Sequence, residues 1–86
     1  MPEISRFFGI VIKMFFADHA PPHFHAEYSG HEALIMIETL EVLRGSLPRR
    51  ALALVLEWAA AHREELRANW DRARSDRTLA PIPPLE

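Results

Sequence analysis

No cysteine occurs among the 86 residues, so disulfides, thiolate metal sites, iron–sulfur clusters and cysteine nucleophiles are excluded together. The same absence suits a reducing compartment, and the cytoplasm is the expected location. No apolar run is long enough to span a bilayer, and the opening Met-Pro-Glu-Ile-Ser-Arg lacks the basic stretch and apolar core of an export signal. Neither membrane insertion nor export is expected. An excess of one charge is missing too: 10 Lys and Arg stand against 12 Asp and Glu, for a net charge of −2 and a pI near 6.2. The overall field gives nucleic acid no advantage as a partner, and only a local basic patch would attract it. Ser5, Ser29, Ser46, Ser75, Thr39 and Thr78 fall in no nucleophile elbow or triad pattern, so any hydrolysis must draw its nucleophile from water.

What is present is an ordinary globular composition, 49% apolar and 26% charged. A mass of 9.9 kDa gives a folded surface of about 5,200 Å². That is room for one core, and residues 1–86 are read as a single domain. Ile10, Ile12, Met14 and Phe16 alternate with Val11, Lys13 and Phe15, the period of a strand covered on both faces. Gly9 separates it from a shorter β-prone piece, Ile4 to Phe8; the two form either a hairpin or one bent strand. Asp18 to Pro22 breaks the period, because two successive prolines lack amide donors and fix φ. His23 to Ser29 alternates again, with Phe24, Ala26 and Tyr28 toward the core and His23, His25 and Glu27 on the opposite face. Ala33 to Glu38 and Glu41 to Arg44 read as further strands around Thr39-Leu40, a poor two-residue turn.

From Ser46 the period becomes helical. Ser46 is a candidate cap, Pro48 suits the first turn, and Leu52, Val55, Leu56, Ala59, Leu66, Trp70 and Ala73 share one face. The Pro-rich tail, 76–86, cannot be helical and is expected to lie extended over the domain. The predicted fold is therefore α+β: an antiparallel meander of about four strands within residues 4–44, one long C-terminal helix over about 47–75 packed on one face, and the tail. The second face of the sheet is left for solvent, another chain or a ligand.

Chemistry concentrates in one short stretch. Four of the five histidines, His19, His23, His25 and His31, lie within thirteen positions. Residues i and i+2 of a strand point the same way with Cα atoms roughly 6.5 to 7 Å apart, so two imidazoles can close on one metal at about 2.0–2.1 Å. His23 and His25 meet that spacing, and the candidates for a third ligand are His19, Glu27 and His31. Such a set suits Zn, Fe, Ni or Mn. The metal reading is thus His19, His23 and His25 around zinc or another divalent transition metal, set against no cofactor at all. Without metal, His19, His23 and His25 with Glu27 as helper are candidates for catalytic acid–base work, since imidazole changes charge near neutral pH. The ordinary alternative is that histidines on an open sheet face are solvated or hydrogen-bonded.

Arg44, Arg49 and Arg50 form the one dense basic cluster, around a strand-to-helix joint, and are the candidates for contact with a phosphate or other anion. His62, at helical spacing from Trp58 and Leu66, reads as a partly buried structural residue. Of Trp58 and Trp70, one is expected on the sheet and the other at a contact with a second chain.

Several segments carry a resemblance: Met-Pro-Glu-Ile-Ser-Arg-Phe with Gly9-Ile10; Asp18-His19-Ala20-Pro21-Pro22-His23-Phe24-His25-Ala26-Glu27-Tyr28; Gly45-Ser46-Leu47-Pro48-Arg49-Arg50; the Trp-containing helix; and the closing Pro84-Leu85-Glu86. Together they resemble the small prokaryotic family catalogued as domain of unknown function 4160, over nearly the whole chain. The histidine and proline segment is the most specific part, and Thr39-Leu40 departs from the Gly-containing turn expected there. The resemblance implies no activity; it implies a protein often encoded beside another small protein, as in a toxin–antitoxin-like pair. Two functions follow. One is a binding module that meets another small protein or a second copy of itself; the other is a histidine-cluster, metal-dependent hydrolase or nuclease-like activity. They differ in whether His19, His23, His25 and Glu27 converge in a hollow within reach of Arg44, Arg49 or Arg50.

Overall fold

Two Gly-containing turns lay out the first strands. A computed structural model describes residues 3–86, so the Met1-Pro2 opening of the N-terminal reading lies outside the described residues. Strand β1 (Glu3–Phe7) turns into β2 (Ile10–Lys13) through Phe8 and Gly9, at φ +50° and +78°. Positive φ at both centres is the type I′ geometry that matches strand twist. The first β-prone pieces are therefore a hairpin, and the sheet has five strands where about four were expected. Strands β3 (His23–Tyr28) and β4 (His31–Met36) are joined the same way by Ser29 and Gly30, at φ +48° and +83°. Strand β5 (Val42–Gly45) completes a meander in the order β1-β2-β3-β4-β5, antiparallel throughout.

Thr39-Leu40 is not a two-residue turn. Strand β4 stops at Met36, and a wider loop closes with Met36 N–H donating to Glu41 O at 2.9 Å and Leu40 N–H to Met36 O at 2.9 Å. Leu40 alone takes positive φ there, +63°. Near the far end of β5, Gly45 sits at φ +77° opposite Ala33, where an added Cβ would lie 2.1 Å from Glu32 O.

The long helix is two: α1 (Arg49–Ala61) and α2 (Arg63–Arg74), broken at His62 with φ −123° and ψ 27°. Its amide bonds back three residues, to Ala59 O at 3.1 Å, in a tighter turn than the α-helix allows. Neither glycine nor proline marks the break. Local side-chain contacts accompany it: the His62 ring packs on Trp58 at 5.6 Å and its Nδ1 lies 2.6 Å from Glu65 Oε1. Beyond the break α2 meets the end of the sheet, with Arg63 Nε donating to Ile37 O at 3.1 Å and Arg67 gripping Glu38 at 2.7 and 2.8 Å. Helix α1 begins after Pro48 without a side-chain cap, so Ser46 does not fill the expected role.

Trp58 anchors the core from α1, fully buried against Phe7 of β1 and Phe24 of β3 at 5.4 and 6.0 Å between ring centres. Ile10, Ile12, Ala33, Ile35 and Val55 belong to the same buried core. The tail lies extended, as expected. Asn69 holds it by presenting a peptide-like pair of groups: its Nδ2 donates to Ala80 O and its Oδ1 accepts from Ala80 N–H, both at 2.8 Å. Ile82 N–H then donates to Ile4 O and Trp58 Nε1–H to Pro83 O, again at 2.8 Å. The accessible surface, 5144 Å², agrees with the scaling from mass. No helix among the described residues is long and apolar enough to cross a membrane.

Candidate functional site

The loop from Ala17 to Pro22 turns the chain back onto β3. Ala17 adopts φ +56° and the Ala20–Pro21 peptide is cis. Asp18 Oδ1 accepts the His19 backbone N–H at 2.9 Å, which leaves Oδ2 facing the sheet. There it lies 3.1 Å from His23 Nε2 and 3.1 Å from His25 Nε2. The other nitrogens are occupied as well: His23 Nδ1 lies 2.8 Å from Pro21 O, and His25 Nδ1 lies 3.2 Å from Glu32 Oε2. One ligand atom each from Asp18, His23 and His25 falls within 4.8 Å of the others, a spacing suited to a single metal ion.

The pair is not on a wet, open face. The His23 side chain is 5% exposed and that of His25 12%. Trp70 packs on His23 at 5.4 Å, and Phe15 meets His25 edge-on at 4.5 Å. Trp70 is itself buried, so it does not serve as an anchor for a second chain. The bend at His62 explains this: it brings α2 to the end of the sheet where β4 stops and β3 starts. Burial would raise the Asp18 carboxyl, but hydrogen bonds from His25 and the His19 amide, with the charges of His23 and His25, outweigh it and leave the group below the usual range.

His19 is outside this ligand set; Asp18 stands in the third position. The His19 ring is exposed and lines a shallow hollow with Asp18, Pro21, His23, Leu34 and Arg44. Glu27 is held by Lys13 at 3.0 and 3.1 Å, one step along the strand from His25. His31 is exposed beside the Ser29-Gly30 turn. The basic cluster divides. Arg44 reaches the histidine hollow, while Arg50 lines a separate one with Phe8, Ile10, Tyr28 and Leu54, and Arg49 is exposed at the start of α1. Two residues escaped the sequence reading. Asp18 precedes a stiff loop whose path no periodicity reports. Glu32 could have been found by counting register from the two-residue turn, which sets it opposite Glu27 and diagonal to His25.

The family model described as a domain of unknown function (DUF4160) matches residues 9–71. The chain belongs to that family. The DUF4160 span takes in the Asp18 loop, both histidines, Glu32, Arg44 and Trp70, and leaves outside it β1 and the extended tail, a strap bonded to β1 through Ile82. No curated protein and no solved structure matches the chain.

Proposed function

We propose that Asp18, His23 and His25 hold a divalent transition metal, zinc first, and that the domain uses it to activate water against an anionic ester such as a phosphoester. The observation that carries this reading is a count of protons. Pro21 O only accepts hydrogen bonds, so His23 Nδ1 must donate to it. A neutral ring then turns a lone pair from Nε2 toward the carboxylate of Asp18, acceptor against acceptor. His25 faces carboxylates at both nitrogens in the same way. With Asp18 and Glu32 both ionised, protons satisfy every one of these contacts only as two cations 5.3 Å apart, both largely buried. A metal ion on the two Nε2 atoms and Oδ2 satisfies all three groups, with Pro21 O and Glu32 as the outer partners that orient metal-bound imidazoles. Ligands about 2.0–2.1 Å from a tetrahedral ion stand roughly 3.3 Å apart, close to the 3.1 Å between Oδ2 and each Nε2.

Three protein ligands leave a fourth position for water. Arg44 and His19 line the adjoining hollow, the first as a cation for the anionic group and the second as a proton carrier for the leaving oxygen. Native mass spectrometry of protein purified without chelator tests the site. One metal per chain is expected, lost in Asp18→Ala and His23→Ala variants that keep their circular dichroism. Loaded protein is then expected to hydrolyse an activated phosphodiester. A wild-type chain that neither carries nor takes up zinc, nickel, iron or manganese overturns the reading.

A second reading, a binding module that meets another chain, draws on a different observation: the exposed edge strand β5.

A further inference from the structure

The two edges of the sheet are treated differently. On β1 the strap engages Ile4 through Ile82. The outer side of β5 has no partner strand among the described residues, and every residue of β5 is exposed. Val42 and Leu43 lie there 40% and 45% exposed. Natural edges are commonly blunted by shortness, a bulge, a charge or a proline; this one is short and bulged, with Leu43 the extra residue between Val42 and Arg44, yet it still presents two aliphatic side chains.

The sequence around the bulge is complementary to itself. Glu41-Val42-Leu43-Arg44 run antiparallel against a second copy sets Glu41 opposite the partner's Arg44 and Arg44 opposite the partner's Glu41, with the aliphatic residues between. The bulge resets the alternation, so Arg44, paired with Leu34, and Glu41, bonded to Met36, fall on the same face of the sheet. Neither has an ion-pair partner of its own among the described residues. A two-fold contact needs one patch that recognises itself, and this patch does so by charge as well as by backbone.

We infer that two copies of this chain join through β5 to make a continuous ten-stranded sheet. Arg44 also lines the histidine hollow, so the partner's Glu41 would fix the guanidinium at the rim of that hollow while its remaining donors stay free. The inference owes nothing to the metal reading.

Sedimentation equilibrium across a concentration series tests it. A monomer–dimer equilibrium is expected for the wild type and a monomer for Leu43→Lys, a substitution at an exposed site that leaves the circular dichroism unchanged. Glu41→Arg and Arg44→Glu alone are expected to raise the dissociation constant at least tenfold each, and the two together to restore it. A wild type that stays monomeric, or binds only a different protein, overturns the inference. So does a dimer indifferent to Leu43→Lys, or one in which the double reversal fails to rescue the single ones.

Discussion

At the scale of single residues, Gly45 and Gly30 separate two costs that positive φ usually mixes. Both adopt left-handed backbone, at φ +77° and +83°, but a Cβ at Gly45 would strike Glu32 O at 2.1 Å whereas one at Gly30 would meet nothing within 4 Å. Gly30→Ala is expected to cost about 1–2 kcal/mol, the left-handed penalty alone, and Gly45→Ala more than twice that. Urea unfolding of both variants decides. Glu32 supplies a second prediction. In the proposed site it is the outer partner of His25 and no ligand, so Glu32→Gln is expected to weaken zinc affinity about 10–100-fold without abolishing it. Competition with a chelating dye reads that change, and His31→Ala, next to it and outside the site, is expected to leave affinity alone. The i, i+2 spacing made His23 and His25 legible from sequence. The burial of His23 was not, because it depends on Trp70, more than forty positions away.

At the scale of elements, strands announced themselves by alternation and the Ser29-Gly30 turn by its glycine, whereas Gly9 left a hairpin and a bent strand open. The break between α1 and α2 did not announce itself. It lets α2 meet the loop after β4 through Arg63 and Arg67, contacts to Ile37 and Glu38 that no local propensity encodes. Two clamps hold the pieces. Asn69→Ala removes both bonds to Ala80 and leaves a peptide group unpaired, at a cost of about 1–3 kcal/mol; chemical denaturation measures it, and faster proteolysis of the tail accompanies it. Arg67 joins α2 to the loop after β4, and its hydrogen bond to Glu38 holds that carboxyl below 4.5. A depressed folded value means the contribution is present above the unfolded value and is lost as pH falls through the folded one. The melting temperature of the wild type is therefore expected to fall below pH 4.5 more steeply than that of Glu38→Gln, by a small amount because the pair is exposed.

At the scale of the molecule, the proposed metal site would link metal binding to folding. A cation that binds Asp18, His23 and His25 ties the loop to β3, and it stabilises by about 2.7 kcal/mol when free metal is one hundred times the dissociation constant. Zinc is expected to raise the melting temperature by roughly 10 °C or more in a domain of this size. Chelator reverses the rise, and Asp18→Ala abolishes it.

The strap also says something about the order in which the chain comes together. Every strand pairs with its neighbour in sequence, so each hairpin closes over a short stretch and gains its bonds early. The strap alone joins residue 82 to residue 4 and gives the Trp58 indole its acceptor. The Ile82 bond to Ile4 therefore adds one long closure to a sheet otherwise built from short ones.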